Sequence, residues 1–349
     1  MPEIVRLRAE SDEPITAYID SRGGSVFAAE RLYALLKAPN PDGVACRLIT
    51  VVTTHAASAA ADLLSLGDYA IAYPQATILC HGARLSAEEI TKETAEGLAA
   101  SLQAANEEFA LRLAKRVFAR MAFLYTVLRP EFDNLRRQAE AEKWERRMDS
   151  DLECFAFAIF NRLSPWLRDL PRSVFFLNEY LREMQDFVFS RLRDMPEDQS
   201  DLDIEADVLK HLIDFELLRA KQENWSFTGG GFERFAADFR RLTDFLFGKH
   251  LQELEDQIKS FGILFLRPEQ IQEFEQRRAD NVISAENWMK SLVRPAIEPL
   301  WYFVVALCRM LQQGENRLTA EDAYWLGLVD EVIGARLISL RLIVENPDV

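Results

Sequence analysis

Apolar and polar positions change rhythm twice along this chain, and the changes divide it into three stretches. Over the first 85 residues, short β-prone runs alternate with helical stripes. Ile15-Thr16-Ala17-Tyr18-Ile19 reads as a short buried strand. Val26–Lys37 reads as a helix, with Phe27, Ala28, Leu32, Leu35 and Leu36 on one stripe. The cluster Pro39-Asn40-Pro41-Asp42-Gly43 is a turn. Arg47–Val52 is β-rich and leads to Ser58. Ala56–Leu66 reads as a helix of small residues, and Ala70–Ala72 and Ala76–Cys80 read as short strands. Repeated strand–helix units of this length predict a mainly parallel sheet with helices packed outside it. Sites in such folds lie at the carboxyl ends of strands, where Gly24, Ser58 and His81 all fall.

From Ser86 to about Gln312 the period becomes helical. Leu98, Leu102, Ala105, Phe109 and Leu113 recur at helical spacing with charged residues between them. Ser86-Ala87-Glu88-Glu89 has the form of a helix start. Breaks are expected at Arg129-Pro130, Ser164-Pro165, Met195-Pro196-Glu197-Asp198, Gly229-Gly230-Gly231 and Arg267-Pro268. Most of the aromatics here (Phe155, Phe157, Phe160, Trp166, Phe175, Phe176, Phe187, Phe189) are expected in a core, and some on a docking face. The last stretch, Leu318–Ile333, returns to a β/α pattern. The expected architecture is an α/β core of residues 1–85 and 313–349, interrupted by an all-α insertion of residues 86–312.

Composition narrows the function. With 349 residues and 49% hydrophobic content, the chain can bury a sizeable core. A net charge of −15 argues against a nucleic-acid binder and against an anionic membrane surface. The longest apolar run, Leu300–Cys308, falls short of the roughly 20 residues that span a bilayer. No secretory signal pattern follows Met1-Pro2-Glu3, so a cytoplasmic location is expected. Cys46, Cys80, Cys154 and Cys308 are scattered without a CxxC pair, so no metal is expected and a reducing compartment is the simplest context. Gly229-Gly230-Gly231 lacks the strand and the Gly-Lys-Ser/Thr ending of a phosphate loop. No cofactor is expected, and any ATP-driven step would need a separate partner.

The candidate chemistry gathers at three strand ends. Ser58 is a hydroxyl that becomes a nucleophile only when a base takes its proton. His81 supplies such a base near its ordinary range. A helix starting at Ser58 would aim its positive end at a developing oxyanion. The N–H groups of Gly24 and Ala59 could form the oxyanion hole. His55, three residues before Ser58, could face the cleft or be solvated. His211 and His250 lie in helical contexts and read as structural or exposed.

Four of these runs resemble the proteolytic subunit of the Clp protease. Ile19-Asp20-Ser21-Arg22-Gly23-Gly24 is similar to its Ser-Pro-Gly-Gly turn, and Ala56-Ala57-Ser58-Ala59 to its Ala-Ala-Ser-Met nucleophile motif. Tyr73–His81 resembles its Pro-Asn-Ser-x-x-x-x-His stretch. Leu318–Asp330 resembles its closing Ser-Ala-x-Glu-Ala-x-x-x-Gly-Leu-x-Asp. The resemblance covers roughly residues 14–125 and 300–335. It implies the ClpP/crotonase-like fold, here with the handle region enlarged into the helical insertion. It implies serine endopeptidase activity on peptides or unfolded protein, with Ser58 as nucleophile, His81 as base, and Gly24 and Ala59 at the oxyanion. The family's acid maps by register onto Glu315, a glutamate in place of aspartate. A homo-oligomeric ring is also implied. Only about fourteen residues precede the first strand, so the family's pore-lining segment is expected to be missing and coupling to a separate AAA+ unfoldase is doubtful. The rival expectations are a catalytically inactive scaffold whose insertion binds partners, acyl-CoA chemistry of the crotonase type, and a serine–lysine dyad using Lys92 or Lys115.

Overall fold

In a computed structural model, the residues described are 2–10, 13–39, 46–84, 92–142, 150–171, 173–175, 251–280 and 284–337, with 43, 148, 187 and 190 as single positions. The chain forms two compact units, Met1–Val174 with Ser260–Val349, and Phe175–Lys259. The second unit's described residues are mainly the first nine residues of a helix, Leu251–Phe261 (α6).

The centre of the first unit is a six-stranded sheet. β1 (Ile15–Ser21), β2 (Leu48–Ala57), β3 (Tyr69–Ala72), β4 (Thr77–Cys80) and β6 (Glu331–Val332) run parallel, and β5 (Asn316–Thr319) pairs antiparallel with β4. β2 is the axis. β1 lies along one edge, while β3 pairs with Ile49–Val52 and β4 with His55–Ala57. The alternating side chains Leu48, Thr50, Val52 and Ala56 are fully buried, as a strand with one covered face requires. The Thr50 hydroxyl donates to the Leu64 carbonyl of α3 (Ala59–Ser65), fixing that helix on this face.

The remaining helices of this unit are α1 (Pro2–Glu10), α2 (Val26–Leu36), α4 (Lys92–Ala141), α5 (Asp151–Phe160), α7 (Pro268–Ala279), α8 (Ala285–Leu311) and α9 (Ala320–Trp325). α1 has no counterpart in the sequence expectations. α4 and α8 pack on each other and on α5, with Phe118 meeting Trp301 edge-on at 5.6 Å and Phe155 meeting Phe303 at 6.1 Å. These helices belong to the same unit as the sheet. Arg116 of α4 donates to the Gly67 and Asp68 carbonyls and to Asp330, which also accepts from the Ala70 N–H. One guanidinium therefore ties the long helix to the start of β3 and the end of α9's loop.

Two expected features differ. The break at Arg129-Pro130 is absent, because α4 runs through Pro130. A proline inside a helix costs about 3 kcal/mol, but Leu128 and Phe132 on either side are buried and Tyr125 packs its ring on Phe132. Tertiary packing holds the helix together there. The helix expected from Ala56 begins at Ala59 instead, since Ala56 and Ala57 pair with Ile78 and Leu79 in the sheet. By contrast, Arg267-Pro268 does start a helix, with Pro268 in its first turn. The expected start at Ser86–Glu89, the breaks at Met195–Asp198 and Gly229–Gly231, and His211 and His250 lie outside the described residues.

α8 is long and apolar enough by length and composition to cross a membrane. Its apolar stripe instead faces α4, and Ile297, Leu300, Trp301, Val304 and Leu307 are buried there. The same test is passed by a core helix of a globular protein.

Candidate active site

Ser58 closes β2 and opens α3, and its backbone is unusual. With φ 56° and ψ −132°, it is the non-glycine residue with positive φ among the described residues. Such a conformation costs on the order of 1–3 kcal/mol and persists only where surrounding structure imposes it. Here the Ser58 N–H donates to the Leu79 carbonyl of β4 (2.8 Å), while its own carbonyl accepts from Ala61 and Asp62. The turn is thus clamped between a strand and a helix, the strand–turn–helix geometry that presents a serine hydroxyl at the end of a sheet. The Ala59 N–H lies at the first helical position, where a helix leaves its N–H groups without internal acceptors.

Gly23 is packed against this turn. A Cβ on Gly23 would sit 2.4 Å from the Ala57 carbonyl oxygen and 2.7 Å from the Ser58 Cβ, and its φ is +91°. Only glycine fits. Gly24, the glycine singled out by sequence, has open space around it and a φ of +153°. The Ser21 hydroxyl accepts from the Gly23 N–H at 3.1 Å, which leaves the Gly24 side of the turn facing outward.

His81 follows β4 directly and is half-buried. Its Nδ1 lies 2.7 Å from the Gly82 carbonyl oxygen. A carbonyl only accepts, so Nδ1 carries the proton and the neutral ring keeps Nε2 as its acceptor. Because β4 and β5 pair Cys80 with Asn316, the next step of the register sets His81 opposite Glu315. The Glu315 carboxylate, however, bonds Arg84 at 2.7 Å and is exposed. That bond, the Arg84 charge and, more weakly, His81 hold its carboxyl below the usual range. Among the described residues no hydrogen bond joins Ser58 to His81 or His81 to Glu315. The fold brings Gly23, Gly24, Ser58, Ala59, His81 and Glu315 to one end of the sheet.

Two groups at this end, Arg84 and Asp62, escaped the sequence, and His55, expected to face the cleft or be solvated, has a partner that the sequence did not show. His55 Nδ1 lies 3.6 Å from the Asp20 carboxylate, an exposed pair joining the ends of β1 and β2. Arg84 claims Glu315, which no motif signals. Asp62, in the first turn of α3, is largely buried, and burial pushes its carboxyl up to about 7, against the opposing effects of Gln312 and Arg112. Its signal was a lone carboxylate in a run of small apolar residues. Cys80 and Cys308 are fully buried, and burial raises their thiols far above the ordinary range, so neither is a nucleophile. Lys115 is exposed on α4. Of the aromatics of the middle stretch, Phe155 and Phe175 are buried, while Trp166 is exposed and donates to the Arg317 carbonyl.

Residues 1–117 match the Clp protease family model. Over that stretch, about a third of its length, the chain is similar to the Clp protease family. The match takes in β1 to β4, the Ser58 turn, His81 and the first half of α4. No curated protein matches the chain. A mixed α/β core with a long central helix and a ClpP-like peptidase fold follow from the match and the topology together.

Proposed function

We propose that the chain is a serine-type endopeptidase of the Clp protease kind. The observation that carries this reading is the Ser58 turn: a serine forced to positive φ at the carboxyl end of β2, with Gly23 against its Cβ and α3 starting behind it. In this mechanism His81 Nε2 removes the proton from Ser58 Oγ as that oxygen attacks a peptide carbonyl. The Ala59 and Gly24 N–H groups receive the oxyanion, aided by the helix N-terminus. His81 then gives its proton to the leaving amine, and water, activated in the same way, releases the acyl group. The Gly82 carbonyl fixes the His81 tautomer, and Glu315 supports the imidazolium once Arg84 yields it. The substrate is a peptide or unfolded segment, in a cytoplasmic homo-oligomer that a separate AAA+ unfoldase would have to supply with folded proteins. Residues 86–312 act as an enlarged handle.

Fluorophosphonate labelling of the intact protein tests this. Labelling of wild type that is lost in Ser58→Ala and His81→Ala, and slowed in Glu315→Gln, is expected. An unlabelled, folded wild type would refute it. The Arg84–Glu315 bond favours one second reading, a catalytically inactive scaffold of the same fold, which predicts that outcome.

A further inference from the structure

We propose that a pocket between α4, the 3-10 turn Gly262–Phe265, α7 and α8 binds a small aliphatic carboxylate. The cavity holds about 280 Å³, near the lower end of ligand sites at roughly 300–1,000 Å³. Phe265, Leu292 and Val293 supply its apolar wall. Leu292 remains 42% exposed. Arg129 and Arg267 line the same cavity, and among the described residues no carboxylate lines it.

Both guanidiniums have capacity left. Arg129 reaches Asp151 only at 3.8 Å, and Arg267 has no ion pair among the described residues. Gln270, also in the lining, has its side-chain oxygen occupied by the Arg267 N–H at 2.9 Å, so its amide N–H groups are the part left for a ligand. The Tyr125 ring is held by Phe132, Phe155 and Phe265, which fixes the floor of the pocket. Two cationic forks and three apolar side chains lining one cavity, in a chain of net charge −15, select a ligand with one anionic end and one apolar end. A carboxylate matches the planar fork of arginine in a bidentate manner. The aliphatic remainder meets Phe265, Leu292 and Val293.

The probe is sodium octanoate, with octanol, octylamine and inorganic phosphate as comparisons, read by isothermal titration calorimetry on the full chain. Octanoate is expected to bind wild type and Ser58→Ala alike, and at least tenfold more weakly to Arg267→Met and Arg129→Met. Octanol and octylamine are expected to bind at least tenfold more weakly than octanoate. Arg267 is exposed, so Arg267→Met tests the site without risking the fold. No octanoate binding by folded wild type would overturn the proposal. So would equal binding by both arginine variants, equal binding of octanol, or binding of phosphate without octanoate. Loss of binding in Ser58→Ala would assign the ligand to the sheet end instead, and would also overturn it. None of these outcomes depends on whether Ser58 is reactive.

Discussion

Replacing Asp62 by Asn should stabilise the protein at alkaline pH and leave it nearly unchanged in acid. Asp62 sits in the first turn of α3, four residues after Ser58, and its carboxyl is lifted from 3.8 to about 7 by burial. The folded state therefore holds a proton that the unfolded chain releases between about pH 4 and 7. Stability contributed by that proton is full below the unfolded value, falls as pH rises through the window, and is gone above it. About three pH units at about 1.4 kcal/mol each give on the order of 4 kcal/mol between the extremes. Asn keeps the size and polarity of the protonated acid and does not titrate. The assay is urea unfolding of wild type and Asp62→Asn at pH 4 and pH 8, followed by fluorescence of the buried Trp301 and Trp325. The expected result is a difference of a few kcal/mol in favour of Asn at pH 8 and of less than about 1 kcal/mol at pH 4. An equal difference at both pH values would refute the reasoning, as would a destabilised Asn variant at pH 8. Either would mean that Gln312 and Arg112 stabilise the ionised carboxylate at least as much as burial penalises it.

Gly23→Ala should abolish fluorophosphonate labelling without unfolding the chain, because its Cβ would displace the Ala57 carbonyl and the Ser58 side chain; retained wild-type labelling would show that the turn tolerates the change. Arg84→Ala should speed labelling by freeing Glu315 to face His81, and a rate that stays the same or falls would remove Glu315 from the triad. Asp322→Ala should cost at least about 2 kcal/mol in urea unfolding, since one buried carboxylate accepts from the Thr319 N–H and hydroxyl and from the Ser164 N–H and hydroxyl. A loss below about 0.5 kcal/mol would mean that water replaces those bonds.

The strands were legible because each is a short apolar run closed by turn residues, and Ile15–Ile19 and Ala70–Ala72 appear nearly as expected. The α3 boundary was not. An alanine run has no period to read, and only the backbone pairing of Ala56 and Ala57 with β4 decides that they are strand. Pro130 misled for a related reason, since a local rule was outweighed by packing that a sequence does not display. At the site, Ser58 and His81 stood out as residue types at strand ends. Which glycine presses on Ser58 depended on φ, and which group holds Glu315 depended on a loop residue, Arg84, that is 231 positions away.

Glu315 shows how the helical stretch and the sheet end constrain each other. α8 finishes at Leu311, and the Asn316 side chain donates to the Met310, Leu311 and Gln313 carbonyls. Asn316 thus caps the helix and is also the first residue of β5, paired with Cys80. Gly314, at φ +78°, makes the reversal between them. Glu315 has no freedom in the chain direction: the helix cap lies on one side of it and the strand register on the other. The length of α8 therefore decides which residue stands opposite His81. One residue inserted between Gln312 and Asn316 would either break the cap or move Glu315 off the register. If Glu315 serves His81, such an insertion should lower labelling as much as Glu315→Gln does. If labelling survives the insertion but not Glu315→Gln, the carboxylate acts from a position that the strand register does not set.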